Sequence, residues 1–313
     1  MAQQANHPLP GGFKLEEYTI DRQLSLGGFS IVYLAHDGEG HLVAIKEYLP
    51  NSLALRPKGA SRPVISEAHQ GAFRYGMKCF FEEGRALAKL SHPNVIKVIN
   101  FFRANDTVYM VMAYERGQTL QELVHKHRGH ISERFLRGVF ARMLNGLREV
   151  HSHKLLHLDL KPSNIYLRSD NTPVLIDFGA ARQTLSTDQP ILKPMYTPGF
   201  ASPEHYGNRE NLGPWSDIYS VGASMYACLA GSPPPPANER MKEDKLVLAS
   251  VRWKGRFSDR LLEIIDWSMQ LKHLDRPQSV FSLQKALLAD IQVPKAHAPT
   301  GFVQRLIHNF RKS

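Results

Sequence analysis

The amino-acid sequence predicts an α+β protein of two lobes, a small β-rich lobe followed by a larger, mostly helical lobe. Residues 18–46 alternate apolar and polar side chains around glycines, which is typical of a sheet built from hairpins. Beyond Tyr114 the apolar residues recur every three or four positions, as they do on helices. A chain of 313 residues is long enough for two lobes that share an interface.

The smaller lobe is predicted to span residues 18–112, after an N-terminal extension of residues 1–17. Its first strands lie within residues 18–46, and residues 80–90 are predicted to form its one main helix. Residues 95–102 and 107–112 are predicted to be two more strands, and the second of these leads into the larger lobe.

The larger lobe is predicted to span residues 113–292, and Ser132 is a candidate N-cap for its long helix. The apolar residues predicted to form the buried stripe of that helix are Phe135, Val139, Met143 or Leu144, Leu147 and Val150. Further helices are predicted at residues 215–230, 259–271 and 280–291. The four prolines that follow the first of these cannot extend it.

Composition limits the class of protein. We find no apolar run near the roughly 20 residues that span a bilayer, and residues 1–12 contain no signal-peptide core, so a cytoplasmic location is expected. The only two cysteines, Cys79 and Cys228, lie in predicted helices, so no disulfide framework is expected. The formal net charge is +10, but basic residues are scattered except in the tail, so no nucleic-acid partner is expected.

One short segment carries the most information about function. Residues 157–164 read His-Leu-Asp-Leu-Lys-Pro-Ser-Asn, and Asp177-Phe178-Gly179 follows thirteen positions after Asn164 (177 − 164). Phosphoryl transfer from ATP to a hydroxyl needs a carboxylate that faces the hydroxyl and divalent cations that neutralise the phosphates. The segment resembles the catalytic loop and metal-binding turn of the eukaryotic-type protein kinases, with Leu158 where that family usually has Arg.

The resemblance implies a role for each polar residue of the segment. Asp159 would orient the acceptor hydroxyl and take up its proton, and Lys161 would steady the transferring phosphate. Asn164 and Asp177 would hold Mg²⁺, with Mn²⁺ as an alternative. His157 belongs to the same pattern as a structural support.

The first strands resemble the phosphate-binding loop of the family. Residues 24–33 follow its glycine pattern, with Gly27 as the middle glycine and Ser25 and Ser30 in place of the first and third. A backbone that closes over phosphates favours glycine, so the two serines bear on loop flexibility and ATP affinity. The residues implied to contact ATP here are Leu24, Ser25, Gly27, Gly28, Phe29, Ser30, Val32 and Ala44.

Two further stretches complete the implied ATP site. Lys46 ends a Val-Ala-Ile-Lys strand, and the family lysine at that place contacts the α- and β-phosphates and pairs with a helix glutamate. Glu83 is the candidate partner, and Glu82 is its nearest rival. The two side chains point about 100° apart on a helix, so they are distinct candidates. Residues 109–115 resemble the strand and hinge around adenine, with Met112 as gatekeeper and the Ala113 carbonyl and Glu115 amide at the adenine edge.

Lys46 and Glu83 are separated by 37 positions (83 − 46), about twice the usual distance in the family, so an insertion of about residues 48–75 is predicted. It resembles an insertion seen in a subset of bacterial kinases. The sequence leaves open whether it regulates the adjacent helix, binds a partner or is a tolerated surface loop.

The segment from Thr197 to Glu204 resembles the end of the family's activation segment. The resemblance implies that the Thr197 hydroxyl bonds Asp159 and Lys161, and that the acceptor is Ser or Thr. It also implies three residues that support the architecture: Glu204 and Arg276, which would form a buried ion pair, and Asp217, which would hold the catalytic loop. Because Leu158 cannot receive a phosphate, activity is predicted not to depend on phosphorylation of Thr184, Ser186 or Thr187.

The sequence therefore predicts an ATP-dependent Ser/Thr protein kinase that acts on protein hydroxyls, with autophosphorylation as one outcome. A pseudokinase scaffold is one alternative, which Ser25, Ser30 and Leu158 would fit, and a kinase of small alcohols is another. The tail, residues 293–313, is predicted to be a basic amphipathic helix with Phe302, Leu306 and Phe310 on one side. We expect it to dock on the protein itself, with a membrane surface or another protein as the other candidates.

Overall fold

The computed structural model describes residues 6–127, 130–178, 196–207 and 209–289. Within them the chain forms the predicted α+β arrangement, a six-stranded antiparallel sheet with one long helix followed by a lobe of helices. Several predictions fall outside the described residues. They concern Gly179, the hydroxyl residues Thr184, Ser186 and Thr187, the last part of the predicted helix 280–291, and the tail.

The sheet of the smaller lobe has the order β1-β2-β3-β4-β6-β5. Its strands are β1 (Lys14–Leu15), β2 (Tyr18–Leu26), β3 (Ser30–His36), β4 (Leu42–Tyr48), β5 (Val98–Ala104) and β6 (Thr107–Ala113). β5 begins later than predicted, because Val95 forms a bridge to Leu175 and the Ile96 amide donates to the Leu175 carbonyl. These residues join the lobes instead of extending the strand.

The helix of the smaller lobe, α1 (Glu67–Leu87), begins well before the predicted start at residue 80. It packs on β4 through Tyr48, whose ring lies 5.2 Å from that of Phe73 and 5.8 Å from that of Phe80, between ring centroids. Gly76 allows this approach, since a Cβ at that position would overlap the Tyr48 hydroxyl. The glycines in the first half of α1 hid the helix from sequence analysis, because glycine is a poor helix former.

The predicted insertion of about residues 48–75 is therefore divided between regular elements and a loop. Tyr48 is the last residue of β4, and residues from Glu67 onward belong to α1. Residues 49–66 connect the two, with a small bridge between Leu55 and Val64.

The larger lobe is built around two long helices. Its helices are α2 (Leu120–Lys126), α3 (Glu133–Ser152), α4 (Pro214–Ala230), α5 (Ala237–Arg240), α6 (Ala249–Arg252), α7 (Asp259–Ser268) and α8 (Val280–Leu288). As predicted, Ser132 caps α3, since its hydroxyl accepts from the Phe135 amide at 3.2 Å. α7 ends before residue 271 because Arg276 binds the carbonyls of Gln270 and Leu271, which turn away from the helix.

A second, three-stranded sheet lies where the lobes meet. It consists of β7 (Gly117–Thr119), β8 (Ile165–Arg168) and β9 (Pro173–Leu175), which the sequence did not reveal as strands. The segment between α3 and β8 carries the motif of residues 157–164, so this sheet fixes the end of the motif. Across the described residues, no helix combines the length and apolar character that crossing a bilayer requires.

Candidate active site

A cavity of about 470 Å³ lies between the two lobes. The predicted site residues that line it are Leu24, Ser25, Val32, Ala44, Lys46, Glu83, Met112, Ala113, Glu115, Asn164 and Asp177. Gly27, Gly28 and Phe29 form the exposed turn that joins β2 to β3, and Ser30 begins β3. A more open groove of about 600 Å³ lies against α1 and the β5–β6 turn and contains none of the predicted site residues.

Lys46, on β4, connects the lobes through Asp177. The Lys46 Nζ lies 2.5 Å from the Asp177 Oδ1, although 131 positions separate the two residues. Burial opposes ionisation of Asp177, but the charges of Lys46 and Lys161 outweigh it and lower the pKa of Asp177 to about 2. Glu83 is buried on α1 and lines the same cavity. Its pairing with Lys46 stays a prediction.

Asp159 lies at the centre of a hydrogen-bonded group. Lys161 Nζ donates to Asp159 Oδ2 and to the Thr197 hydroxyl, both at 2.7 Å. The Thr197 hydroxyl in turn donates to Asp159 Oδ1 at 2.8 Å, which is the contact expected from the sequence. Asn164 Nδ2 donates to the Asp159 backbone carbonyl at 2.9 Å and to Oδ2 at 3.1 Å. These contacts fix the direction of the carboxylate.

The side-chain oxygens of Asn164 and Asp177 suit a hard divalent cation. Mg²⁺ prefers carboxylate and amide oxygens, which Asp177 and Asn164 supply. Since the Asn164 amide nitrogen is occupied by Asp159, its Oδ1 is left as the accepting end of that side chain. The residues present therefore fit a magnesium ion at this place.

Asp217, in the first turn of α4, holds the backbone at the start of the segment 157–164. Its buried carboxylate accepts from the amides of His157 at 2.9 Å and Leu158 at 2.8 Å. His151 Nε2 lies 2.8 Å from Asp217 Oδ2, a contact that the sequence did not suggest. Burial works against the charge, yet these contacts hold the pKa of Asp217 below its usual value.

His157 and Phe178 pack together beneath the loop, with ring centroids 4.4 Å apart. Both side chains are buried, and burial holds the pKa of His157 below its ordinary value. Nδ1 of His157 faces the Asp159 amide at 3.4 Å. A neutral imidazole therefore links the segment 157–164 to the turn that carries Asp177.

Leu158 adopts a left-handed backbone conformation, with φ of +61°, and its side chain is buried. Its carbonyl lies 3.2 Å from Nε2 of His205, whose Nδ1 lies 2.9 Å from the Ser202 hydroxyl. His205 is not among the residues predicted from the sequence, and only its place directly after Glu204 could have drawn attention to it. The segment 157–164 is thus joined to the stretch around Glu204 by a neutral hydrogen bond.

Glu204 and Arg276 form the predicted buried ion pair. The guanidinium donates to Oε1 at 2.8 Å and to Oε2 at 3.1 Å, in a forked geometry. Ser216 adds a bond to Oε2 at 3.1 Å. Burial opposes ionisation, but Arg276 holds the pKa of Glu204 below its usual value.

The hinge at the back of the cavity is anchored by a pair that the sequence did not reveal. Arg168, on β8, donates to both carboxylate oxygens of Glu115, at 2.7 and 2.6 Å. The Tyr166 hydroxyl donates to the Glu115 carbonyl at 3.2 Å. The Ala113 amide donates to the Lys97 carbonyl at 2.9 Å. The connection between the lobes is therefore held on both of its sides.

Comparison with known proteins identifies the family. Residues 18–288 match the protein kinase domain family. The human serine/threonine-protein kinase Nek2 is 34% identical over 226 residues, which cover 67% of this chain and 49% of that protein. Sucrose non-fermenting protein kinase 1 of Fusarium virguliforme is 30% identical over 236 residues, 74% of this chain and 31% of that protein. The chain thus spans about half or less of the length of these relatives.

Solved structures give the same result. The apo form of PpkA-294 superposes with a TM-score of 0.80 at 34% identity and covers 90% of this chain and 99% of that one. The kinase domain of PknI from Mycobacterium tuberculosis has a TM-score of 0.68 at 19% identity, over 90% of this chain and 99% of that one, which shows a shared fold. The predicted bilobal kinase fold is confirmed, and the chain belongs to the protein kinase domain family, among the Ser/Thr protein kinases.

Proposed function

We propose that this chain transfers the γ-phosphoryl group of ATP to serine and threonine hydroxyls of proteins. The observation that carries the proposal is the group formed by Asp159, Lys161, Thr197 and Asn164 beside the Lys46–Asp177 ion pair. A carboxylate, two ammonium groups and two oxygen ligands for a cation meet at one end of a nucleotide-sized cavity, which suits phosphoryl transfer.

In the proposed reaction the acceptor hydroxyl donates its proton to the Asp159 carboxylate as its oxygen bonds the γ-phosphorus. The bond between that phosphorus and the bridging oxygen breaks, and ADP leaves with the electron pair. Lys161 offsets negative charge on the transferring group, and Lys46 binds the α- and β-phosphates. Mg²⁺ held by Asn164 and Asp177 would supply charge neutralisation of the phosphates.

An autophosphorylation and substrate assay tests the proposal. The natural chain is incubated with labelled ATP, Mg²⁺ and a generic protein acceptor, beside Asp159→Asn. We expect the natural chain to label protein, and we expect the turnover of the variant to be lower by about 10²- to 10⁴-fold. ATP binding by both forms with no transfer by either would favour the pseudokinase alternative. Transfer to small alcohols but not to protein would favour the other.

We further propose that activity is independent of phosphorylation in the activation segment. The Leu158 carbonyl contacts the neutral side chain of His205, and the Leu158 amide donates to Asp217. These contacts support a catalytic loop that is ordered without a phosphate group. Alanine at Thr184, Ser186 and Thr187 together should leave turnover unchanged. Loss of turnover in that variant, with thermal unfolding unaltered, would contradict the proposal.

The remaining features of the proposal concern cellular setting. We propose a cytoplasmic enzyme of a bacterial type that uses Mg²⁺, modifies itself as well as other proteins and has no nucleic-acid partner. We propose that the tail docks on the protein itself. Sedimentation with anionic liposomes tests this, because binding that disappears when residues 293–313 are removed would assign the tail to a membrane surface.

A further inference from the structure

The turn that joins β2 to β3 is held from outside by the start of the insertion. The Asn51 amide donates to the Gly28 carbonyl and the Leu49 amide donates to the Phe29 carbonyl, both at 2.9 Å. Within the turn itself, the Gly27 amide donates to the Ser30 carbonyl at 2.9 Å. Two backbone hydrogen bonds from another part of the chain thus fix the tip of the phosphate-binding loop.

Asn6, in the N-terminal extension, fixes the insertion in turn. It is only 2% exposed. Its Nδ2 lies 2.7 Å from the Asn51 Oδ1 and 3.2 Å from the Ala54 carbonyl. Its Oδ1 accepts from the Arg56 amide at 2.5 Å. We call residues 49–56 together with Asn6 the brace.

The brace is attached to the strand that carries Lys46. Arg56, whose side chain is fully buried, donates to both carboxylate oxygens of Glu47 at 2.5 and 2.8 Å. The hydroxyls of Tyr33 and Tyr109 each donate to Glu47 at 2.7 Å. Arginine is rarely buried unless it is paired, and removal of either partner would leave an uncompensated charge in the core. The brace is therefore fixed to β4 directly beside Lys46.

We propose that the brace is a positioning device for the phosphates of ATP. It holds the tip of the phosphate-binding loop at a set place relative to Lys46, so that the loop is ordered before ATP arrives. Ordering in advance reduces the entropy lost on binding. This inference rests on the proposed kinase activity and assigns a role to the insertion and the N-terminal extension together.

A pair of substitutions at one position tests the device. Asn51→Pro removes the N–H that donates to Gly28. The amides of Leu53 and Ala54 donate to the Pro50 carbonyl at 3.0 Å, so position 51 is the second residue of a turn, where proline is favoured. Asn51→Ala keeps the N–H and loses only the contact with Asn6.

We expect Asn51→Pro to raise KM for ATP by about 2- to 10-fold, the effect of one hydrogen bond, with kcat little changed. Asn51→Ala should raise it less. Adenosine has no phosphates, so its affinity should be the same in all forms. Asn100→Ala is the matched control, because Asn100 also joins the N-terminal segment to the sheet, through Glu17 at 3.2 Å, away from the loop.

An unchanged KM for ATP in Asn51→Pro would overturn the inference, and so would equal losses of ATP and adenosine affinity. If thermal unfolding shows that this variant does not fold, Asn6→Ala replaces it with the same expected pattern, and an unchanged KM there would also overturn the inference. A natural chain that transfers no phosphate would instead overturn the proposed function, so the two failures are distinguishable.

Discussion

Lys46 and Asp177 form an ion pair between the lobes, with Nζ and Oδ1 2.5 Å apart. Lys46 belongs to the sheet of the smaller lobe, and Asp177 follows β9 of the second sheet. The pair brings the positive charge that would bind phosphates next to the carboxylate that would bind the cation. A charged contact within the cavity thus joins the two lobes.

Lys46→Met should lower turnover by about 10²- to 10³-fold, the cost of losing a group that stabilises charge in the transition state. Without the lysine charge the pKa of Asp177 should also rise from about 2. Phosphotransfer under ATP saturation measures the effect. Lys46→Arg is the control, because it keeps the positive charge on a side chain of different shape. Turnover of Lys46→Met equal to that of the natural chain would contradict a role of the ion pair in phosphoryl transfer.

Thr197→Val should lower kcat by about 10- to 100-fold, because the hydroxyl bonds both an ammonium and a carboxylate. KM for ATP should stay unchanged, since Thr197 does not line the nucleotide cavity. Thr197→Ser retains the hydroxyl and should recover most of the rate. Equal losses in the valine and serine variants would contradict the prediction, because serine keeps the hydroxyl that valine lacks.

Arg276→Met should destabilise the protein by about 3–5 kcal/mol, because it leaves Glu204 charged and buried. Urea unfolding measures the free energy. Glu204→Gln combined with Arg276→Met should cost less than the sum of the single changes, since neither partner is then left as an unpaired charge. Strict additivity would show that the two side chains do not interact.

Stability should fall as pH decreases below about 6.5, the ordinary pKa of histidine. Burial holds the pKa of His205 below that value in the folded state, so below pH 6.5 the unfolded chain binds more protons and unfolding becomes easier. His205→Gln keeps a donor for the Leu158 carbonyl and should show a weaker decline. Urea unfolding from about pH 8 to about pH 5 measures this, and identical pH dependence of the two forms would contradict it.

The resemblance to the kinase motifs, whose residues recur in a fixed order and spacing, pointed to side chains that the structure brings to one cavity, among them Lys46 and Asp177. The contact of Thr197 with Asp159 and the pair of Glu204 with Arg276 followed from the same patterns. Partners that depend only on the tertiary fold were missed. His205 and Arg168 are of this kind, since nothing in their surrounding sequence specifies the carbonyl or carboxylate that each one meets.

The segment predicted to be an insertion, about residues 48–75, shows the same limit in a different way. A run that contains Arg56, several prolines and glycines is typical of a surface loop, yet Arg56 is completely buried. Its partner Glu47 lies next to Lys46 in β4. The sequence pattern predicted that strand but did not indicate the ion pair. Likewise, the early start of α1 depends on the packing of Tyr48 against Gly76, which no local pattern displays.

The contact between Tyr48 and Gly76 restricts the substitutions that these two positions can accept. Any side chain at position 76 would overlap the Tyr48 hydroxyl. A single substitution there would therefore displace α1 from the sheet, and Glu83 with it. A larger residue at position 76 is acceptable only if a smaller side chain replaces Tyr48. The two positions are therefore expected to vary as a couple among homologous chains, with glycine retained wherever the tyrosine is retained.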